Sequence, residues 1–369
     1  MTRFTTTTTA LAALMATTTI AHAGGFERSG FNISPLFEEG TYAEMSFSFV
    51  SPDVSGTAPA FGNTASGNMS EDYFSYGFAY RTDLTDSLSL AVIFNDAFGA
   101  DISYENSVAG FPFRNFNASL SGRSASALLR YEIDDTWSVH GGLRYVVMDA
   151  QINFLAGGNV GPAPIAANQT IDYESDGAFG YTIGGSYEIP DIALRASLTY
   201  QSETTHDNTI VGAPTALGPG AASTGSYTLP QSLLLDFQTG IAENTLLLAS
   251  VQWTDWSETE LNTQSAVGVI EYDDDVYTYS VGVARRLNEQ FAVLGRLTYE
   301  AQTGSLQGNL GPTDGRLGLA LAGIYTMGDV TLTGGINYTM LGDATTRFVG
   351  NDFSDNSALG VGLRVGYNF

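Results

Sequence analysis

The chain has 369 residues, and its 39 acidic residues outnumber its 14 basic ones, which gives a formal net charge of −25. This acidic excess argues against nucleic acid as a partner, because phosphates need a basic surface. The chain contains no cysteine, which excludes a disulfide framework and a thiolate metal site.

The first 23 residues have the pattern of a secretory signal peptide. Arg3 supplies the positive end, Ala10–Ala16 is apolar, and Ala21-His22-Ala23 fits a small-x-small cleavage site. The other interpretation is a disordered threonine-rich tail. The apolar run is too short to cross a bilayer as a helix, and no other segment approaches about 18 consecutive apolar residues. A secreted soluble protein and a membrane-spanning β-barrel remain as alternatives.

A period of two dominates the rest of the chain. In Leu359–Phe369 every second residue from Leu359 is apolar or aromatic, whereas the residues between them are glycine, Arg364 or Asn368. Such alternation predicts a β-strand with one apolar face. The pattern recurs in Ile192–Tyr200, Phe291–Tyr299 and Val330–Met340. The chain is therefore predicted to be all-β.

Fourteen such segments follow one another. They start near Tyr42, Asp72, Ser87, Asn117, Thr136, Asp172, Asp191, Ser223, Thr245, Asp275, Gln290, Gly315, Asp329 and Asn356. Their connections alternate between short turns, such as Asp134-Asp135, and long loops rich in Gly, Pro and Ala, such as Ala156–Gln169. This asymmetry is typical of a transmembrane antiparallel β-barrel with apolar residues toward lipid and small or polar ones toward the lumen. A soluble β-sandwich or solenoid is disfavoured, because no linker and no fixed repeat is visible.

Four segments resemble the FadL/TodX (OMPP1) family of outer-membrane transporters for long-chain fatty acids and aromatic hydrocarbons. They are Ser51–Gly56 after the first strand, Thr228–Pro230 entering the eighth, Trp253–Ser257 on the ninth, and Gly366–Phe369 at the C-terminus. The resemblance implies a fourteen-stranded barrel in the bacterial outer membrane, with an N-terminal hatch in the lumen and a kinked third strand. It also implies that a hydrophobic ligand comes in through the extracellular loops and leaves sideways into the membrane.

The resemblance divides the chain into a signal peptide (1–23), a short N-terminal hatch segment (24–40) that plugs the lumen, and the barrel (41–369). The hatch residues expected in the lumen are Phe26, Phe31, Ile33, Pro35, Leu36 and Phe37. The chain departs from the family here, because the hatch is short and Ile33-Ser34-Pro35-Leu36 replaces the family's Asn-Pro-Ala segment. Fatty acid specificity is therefore not carried over from the resemblance.

The third strand contains the segment expected to open the wall. Alternation holds from Ser87 to Phe94, and the adjacent polar pair Asn95-Asp96 then breaks it. Polar pairs and glycine within a strand mark a bulge or a bend. The predicted lateral opening consists of Asn95, Asp96, Phe98, Gly99 and Asp101. The alternative is that the strand simply emerges from the membrane at this point.

Five arginines on polar strand faces are candidates for a ligand site in the lumen. They are Arg130, Arg144, Arg195, Arg296 and Arg364. Arginine binds a carboxylate in a bidentate manner, so these side chains could hold a ligand carboxylate. Pairing with lumenal acids such as Glu44, Asp149, Asp236 and Glu300 is the favoured alternative, because acids are far more numerous.

Three loop features carry weaker signals. The apolar loops Leu155–Ile165 and Ile210–Leu217 could form the first contact for a ligand or could pack against other loops. The run Asp273-Asp274-Asp275 could bind Ca²⁺ or bridge lipopolysaccharide through divalent ions, but a solvated acidic loop is favoured, because the spaced ligand pattern of an EF-hand is missing.

These patterns favour a passive outer-membrane transporter for a hydrophobic small molecule, with lateral exit near the third strand. The alternatives are a general diffusion porin and a structural or adhesive barrel. An enzyme is disfavoured, because only His140 and His206 lie outside the signal peptide and neither belongs to a catalytic motif. No cofactor and no metal is expected. The expected partners are the ligand, outer-membrane lipid and lipopolysaccharide, and the barrel is expected to be a monomer.

Overall fold

The computed structural model describes residues 25–212, 214–215, 218–219, 222–262 and 269–369. The expected signal peptide lies outside these residues. Within them, fourteen antiparallel strands build the wall of a closed barrel. The strands are β1 Tyr42–Asp53, β2 Tyr73–Asp83, β3 Leu88–Ser103, β4 Phe116–Glu132, β5 Trp137–Phe154, β6 Gln169–Ile189, β7 Leu194–Gln201 with Thr204–Val211, β8 Ser223–Leu229 with Ser232–Ala242, β9 Thr245–Thr254, β10 Val276–Arg286, β11 Phe291–Glu300, β12 Arg316–Met327, β13 Val330–Leu341 and β14 Asn356–Asn368.

The barrel closes because the last strand pairs with the first. The β1–β14 ladder runs from Tyr42 opposite Asn368 to Asp53 opposite Ser357. Every other wall strand pairs with the strands before and after it in the chain. The predicted strand starts agree with the observed ones to within three residues, and the largest differences are Asp172 against Gln169 and Asp191 against Leu194. The predicted fold class is therefore confirmed.

The two faces of the wall differ as the period of two predicts. On β14, Leu359, Val361 and Leu363 are each about half exposed on the outside, whereas Arg364 is 3% exposed and points into the lumen. A wide apolar exterior of this kind is stable only against lipid. No helix among the described residues is long and apolar enough to cross a membrane.

The long connections carry short elements of their own, all near the end of the barrel opposite the chain termini apart from Ser34–Phe37 and Pro190–Ile192. The 3-10 helices are Ser34–Phe37, Pro59–Phe61, Pro190–Ile192 and Trp256–Glu258. The short strands are Gly56–Ala58, Thr64–Ala65, Asn159–Val160, Ala163–Pro164, Pro214–Thr215, Gly218–Pro219, Glu260–Asn262, Val269–Glu271, Ala344–Thr345 and Asp352–Phe353. Loops and upper strand ends share a buried apolar cluster that includes Tyr104, Phe111, Phe113 and Phe116. This cluster covers the lumen from the loop side.

The β4–β5–β6 region is packed too closely for any side chain at Gly142. A Cβ there would overlap the carbonyl oxygen of Ala127 and lie 2.9 Å from the Cα of Leu128. We expect Gly142→Ala to lower the free energy of unfolding by about 1–3 kcal/mol, the usual cost of overpacking.

The matched control is Gly323→Ala, because a Cβ at Gly323 on the lipid face meets nothing within 4 Å. The measurement is the temperature at which the folded band disappears in a heat-modifiability gel. Equal unfolding temperatures for the two variants would contradict the prediction.

Candidate functional site

An apolar chamber of about 150 Å³ lies inside the barrel, beneath the long loops. Its apolar lining includes Val54, Met69, Ile102, Leu120, Ile152 and Leu310. Space for it exists because Ala100 on β3, Ala118 on β4 and Ala150 on β5 place only small side chains along its wall. The chamber is therefore lined partly by inward-facing residues of the wall strands, which the period of two predicts. The rest of its lining comes from loop residues, which the period of two does not predict.

Three aromatic rings pack together where the N-terminal segment meets the chamber. The ring of Phe26 lies 5.0 Å from that of Trp256, and Trp256 lies 4.9 Å from Tyr272. Gly25 passes so close to the Trp256 indole that a Cβ at this position would overlap it. Trp256 is 2% exposed. The second tryptophan of the Trp253–Ser257 segment thus packs against the start of the hatch.

The rest of the Trp253–Ser257 segment is fixed by hydrogen bonds to the acidic run. Trp253 Nε1 donates to Asp275 Oδ2 at 2.9 Å, and Ser257 Oγ donates to Asp275 Oδ1 at 2.7 Å. Asp274 accepts from Ser305 Oγ at 2.6 Å, and Asp273 pairs with Arg347 at 2.8 Å. The acidic run is partly exposed, and its carboxylates also tie neighbouring loops together. The described residues contain no group of three His, Asp or Glu side chains that could hold a metal ion.

The barrel wall is broken between β2 and β3. Their ladder runs from Asp83 opposite Ser89 only as far as Gly77 opposite Asn95. The β3–β4 register shifts between Asp96 and Phe98, which leaves Ala97 as a bulge. The third strand does not end there, since it continues to Ser103. We call this break, between Tyr73–Tyr76 of β2 and the upper half of β3, the breach.

The N-terminal segment occupies the edge of β3 that β2 leaves. Arg28 N donates to Ala97 O at 2.8 Å, Gly99 N donates to Phe26 O at 2.7 Å, and Glu27 bridges Phe98 in antiparallel fashion. Higher up, Glu71 N donates to Asp101 O at 3.0 Å, just before β2 begins. The segment therefore satisfies backbone groups of β3 that would otherwise lack a strand partner.

Arg28 fills the breach with its side chain. Its guanidinium carbon lies 4.3 Å from the ring centre of Tyr73. Arg28 Nη1 lies 3.6 Å from Asp96 Oδ2, and Nη2 pairs with Asp101. The absence of a side chain at Gly99 makes room for it, since a Cβ there would overlap the guanidinium.

A second cavity of about 160 Å³ lies below the chamber, and we call it the polar cavity because most of its lining residues are polar. Its lining includes lumenal side chains such as Ser46, Ser75 and Asp236 and the hatch residues Ser29–Asn32. Tyr76 and Phe94 also line it, although their rings stack against each other at 6.1 Å on the lipid side of the wall. This cavity thus borders both the lumen and the lipid face at the breach.

The plug below this cavity centres on Phe37. Arg195 and Arg130 place their guanidinium carbons 4.2 and 5.0 Å from its ring centre, and His140 makes an edge contact at 5.9 Å. Ile33 and Leu36 are buried against apolar residues of β3 and β4. Pro35 starts the 3-10 helix Ser34–Phe37, while Phe31 packs at the edge of this cluster and lines the polar cavity. These hatch residues therefore lie inside the lumen at this level.

The five candidate arginines are not brought together around one ligand site. Arg364 pairs with Glu44 at 3.2 Å, and Arg130 pairs with Glu132 at 2.6 Å and with Glu188. Arg144 Nε donates to Ser124 Oγ at 3.2 Å, and its guanidinium carbon lies 5.6 Å from the Phe98 ring. Arg296 and Arg364 line the polar cavity. Among the expected acid partners, Glu300 pairs with Arg316 and Asp149 with Arg123.

The loop Leu155–Ile165 packs against neighbouring loops, which was one of its two predicted roles; the other was first contact with a ligand. Gly161 N donates to Pro112 O at 2.7 Å, and Ile165 joins the buried apolar cluster. Residues 213, 216 and 217 of the other apolar loop lie outside the described residues. The sequence patterns did not reveal Arg28, Tyr73 or Tyr272 as site residues; the only signal for Arg28 was its being the one basic residue of the hatch.

Comparisons with known proteins give one family profile and several solved structures with a similar fold. The profile of the outer membrane protein transport proteins (OMPP1/FadL/TodX) matches residues 6–341. The fold is similar to that of a Pseudomonas aeruginosa FadL homologue, with a TM-score of 0.70 at 13% identity over 96% of this chain and 98% of that one. The Pseudomonas putida toluene transporter TodX gives 0.63 at 13% identity over 95% and 96%. The Ralstonia pickettii toluene transporter TbuX gives 0.59 at 14% identity over 94% and 96%. No curated relative matches the chain.

Two buried carboxyl groups of the N-terminal segment predict a pH-dependent plug. Burial, with a smaller contribution from Glu300, raises the pKa of Glu27 to about 7 against opposing arginines. Burial likewise raises the pKa of Glu38 to about 7, although Arg364 opposes it. Because these folded-state pKa values lie above the ordinary 4.5, docking of the segment is most stable at low pH. This stability is lost as the pH rises through about 7.

We expect the ion current through the purified barrel in planar bilayers to increase from about pH 5.5 to about pH 8.5, either side of the shifted pKa values. The double variant Glu27→Gln/Glu38→Gln should abolish this increase. Glu39→Gln is the control, because Glu39 is the exposed neighbour. A current that does not change with pH in the wild type would contradict the prediction.

Proposed function

The chain belongs to the outer membrane transport protein family OMPP1/FadL/TodX, and from this premise we propose that it transfers small neutral hydrophobic molecules passively from the apolar chamber, through the breach, into the outer membrane. The observation that carries the proposal is that the apolar chamber adjoins a break in the barrel wall. Gly99, Asp101 and Tyr73 belong to both.

The size of the chamber favours a ligand with one aromatic ring. An apolar cavity of about 150 Å³ holds a molecule such as benzene, and this chamber has about that volume. Two solved relatives, TodX and TbuX, are named as toluene transporters. Burying a monoaromatic molecule among apolar side chains is favourable by roughly 25 cal/mol per Å² removed from water. A long-chain fatty acid would not fit in this space.

The charges around the chamber also favour a neutral ligand. Its acidic lining residues are Glu27, Glu71 and Asp101, and its basic one is Arg28, which already faces Asp96 and Asp101. A ligand carboxylate would therefore meet mostly like charge, which is unfavourable in a site with little water. This argues against fatty acids as the main ligand.

Lateral exit is the route that keeps an apolar ligand out of water. Below the chamber lie the polar cavity and the Phe37 plug. Beside it lies the breach, whose outer surface carries Phe74, Tyr76 and Phe94. An apolar molecule moving sideways passes only the paired Arg28 cluster before it reaches an apolar surface, whereas moving down would expose it to the many hydroxyl and charged groups of the polar cavity and the plug.

The alternatives fit the site less well. A general diffusion porin needs an open lumen, but here Phe37 and its arginine neighbours fill it. A hydrolase that depends on histidine would need a histidine facing the chamber, yet His140 bonds Thr199 and His206 bonds Thr204, and neither lines the chamber. We also propose that the barrel acts as a monomer surrounded by outer-membrane lipid and lipopolysaccharide, since each wall strand finds its partners within the chain.

Filling the chamber tests the ligand site. We expect Ala150→Phe to reduce the initial uptake of labelled toluene by about tenfold in cells whose outer membrane carries the chain, because the new ring would occupy the space of the ligand. Ala127→Phe is the matched control, since Ala127 lies on the exposed face of β4. An excess of palmitate should not compete. Normal toluene uptake by the folded Ala150→Phe variant would overturn the assignment of the chamber.

Locking the hatch tests the exit. Glu27 and Phe98 oppose each other across an antiparallel bridge, where Cα atoms lie about 4.5 Å apart, within disulfide range. Because the chain has no cysteine, the variant Glu27→Cys/Phe98→Cys can form one defined bond. We expect oxidation to stop toluene uptake and a reductant to restore it.

The control lock is Thr326→Cys/Thr331→Cys, which joins two opposed residues of β12 and β13 away from the breach. Its uptake should be the same in both redox states. If the oxidised hatch lock transports as fast as the reduced form, the ligand leaves without passing the hatch and lateral exit through the breach is wrong.

A further inference from the structure

Arg28 stands at the point where the chamber, the polar cavity and the breach meet. Arg28 itself lines the apolar chamber, while the next residue, Ser29, lines the polar cavity that reaches the lipid face. Any ligand that moves from the chamber to the outer surface between β2 and β3 must therefore pass this side chain.

The side chain is held by groups from both edges of the breach. Tyr73 belongs to the β2 edge, and the guanidinium carbon of Arg28 lies 4.3 Å from the centre of its ring. Asp96 and Asp101 belong to the β3 edge, and both carboxylates face the same guanidinium. Arg28 is 8% exposed. A single side chain thus joins two strands that have no backbone ladder between them at this height.

We propose that Arg28 is the latch of the breach: its contact with Tyr73 holds the N-terminal segment across the opening, and transfer of a ligand begins when that contact breaks. This deepens the proposed function and rests on it. Arg28 belongs to the hatch and not to the wall, so its guanidinium can leave the Tyr73 ring without breaking any hydrogen bond between two wall strands.

The contact with Tyr73 is the part of the latch that can open. Two carboxylates on β3 keep the charge of Arg28 paired whether or not the Tyr73 ring is beneath it, so moving toward β3 costs little electrostatically. A cation–π contact is weak enough to break on the time scale of transport, yet strong enough to favour the closed state. Loss of this contact releases the hatch from the β2 edge, so that the hatch at Glu27 can then move off β3 and open the path.

A purely structural role is the competing explanation. In that case Arg28 would only neutralise Asp96 and Asp101, and Tyr73 would matter only as a packing surface. The two explanations differ for Tyr73→Leu, which removes the ring face and leaves both ion pairs in place. They also differ for Tyr73→Phe, which keeps the ring face.

The experiment measures the initial uptake of labelled toluene by cells whose outer membrane carries each variant, with folded barrel quantified by heat-modifiability. We expect Arg28→Met and Tyr73→Leu each to increase the rate by about threefold or more, the factor set by a cation–π contact. The double variant should be no faster than the faster single variant, because both remove the same contact. Tyr73→Phe should match the wild type.

Arg123→Met is the matched control, since Arg123 pairs with Asp149 at 3.7 Å on β4 and β5, outside the breach. It should leave uptake unchanged. Ion current in planar bilayers should stay at the wild-type level in Arg28→Met and Tyr73→Leu, because the Phe37 plug is untouched. An increased current would mean that the whole hatch has left the lumen, which would overturn the latch.

Unchanged or slower uptake by Tyr73→Leu would also overturn the latch. If Arg28→Met does not fold, the result for Tyr73→Leu alone decides the question. Failure of the proposed function gives a different result. In that case cells carrying the wild-type chain would take up toluene no faster than cells without it, whatever the state of Arg28.

Discussion

The structure depends on one constraint: in hydrocarbon, a backbone N–H or C=O group without a hydrogen-bond partner costs several kcal/mol. The wall meets this constraint by closing β14 onto β1 over their full length. At the breach, the backbone groups of β3 obtain their hydrogen bonds from outside the wall. There the N-terminal segment, and not β2, bonds the edge of β3 through Arg28, Phe26 and their neighbours. A segment that is not part of the wall therefore supplies the hydrogen bonds of a neighbouring strand at the point proposed as the exit.

The lumen has a lower part that contains paired charges and an upper part that is mostly apolar. In the lower part, acids and arginines pair with each other, and Arg130 and Arg195 face the Phe37 ring. In the upper part, alanine positions on β3–β5 and apolar loop residues leave a space whose surface is mostly apolar. Buried charges need partners, so an apolar ligand finds room only above them. This vertical order supports the proposed sideways path.

The interruption at Asn95–Asp96 was visible in the sequence, because two polar residues break a period of two. The sequence did not show what would cover the resulting gap. Arg28 lies about seventy residues earlier in the chain, and nothing in its own neighbourhood indicates contact with Tyr73 or Asp101. The five lumenal arginines were placed on the correct face by alternation, but alternation says nothing about which arginine meets an acid and which meets Phe37.

The sequence alone determined the strands, their inward and outward faces and the closed barrel, because these follow from a local period and from the need of every backbone group for a partner. It also placed the irregularity of β3 within a few residues. Only the tertiary structure decided the chamber, the plug and the occupant of the breach. Each of these consists of contacts between side chains from distant segments. Their geometry depends on how the short hatch lies within the barrel, and a repeating sequence pattern does not determine that position.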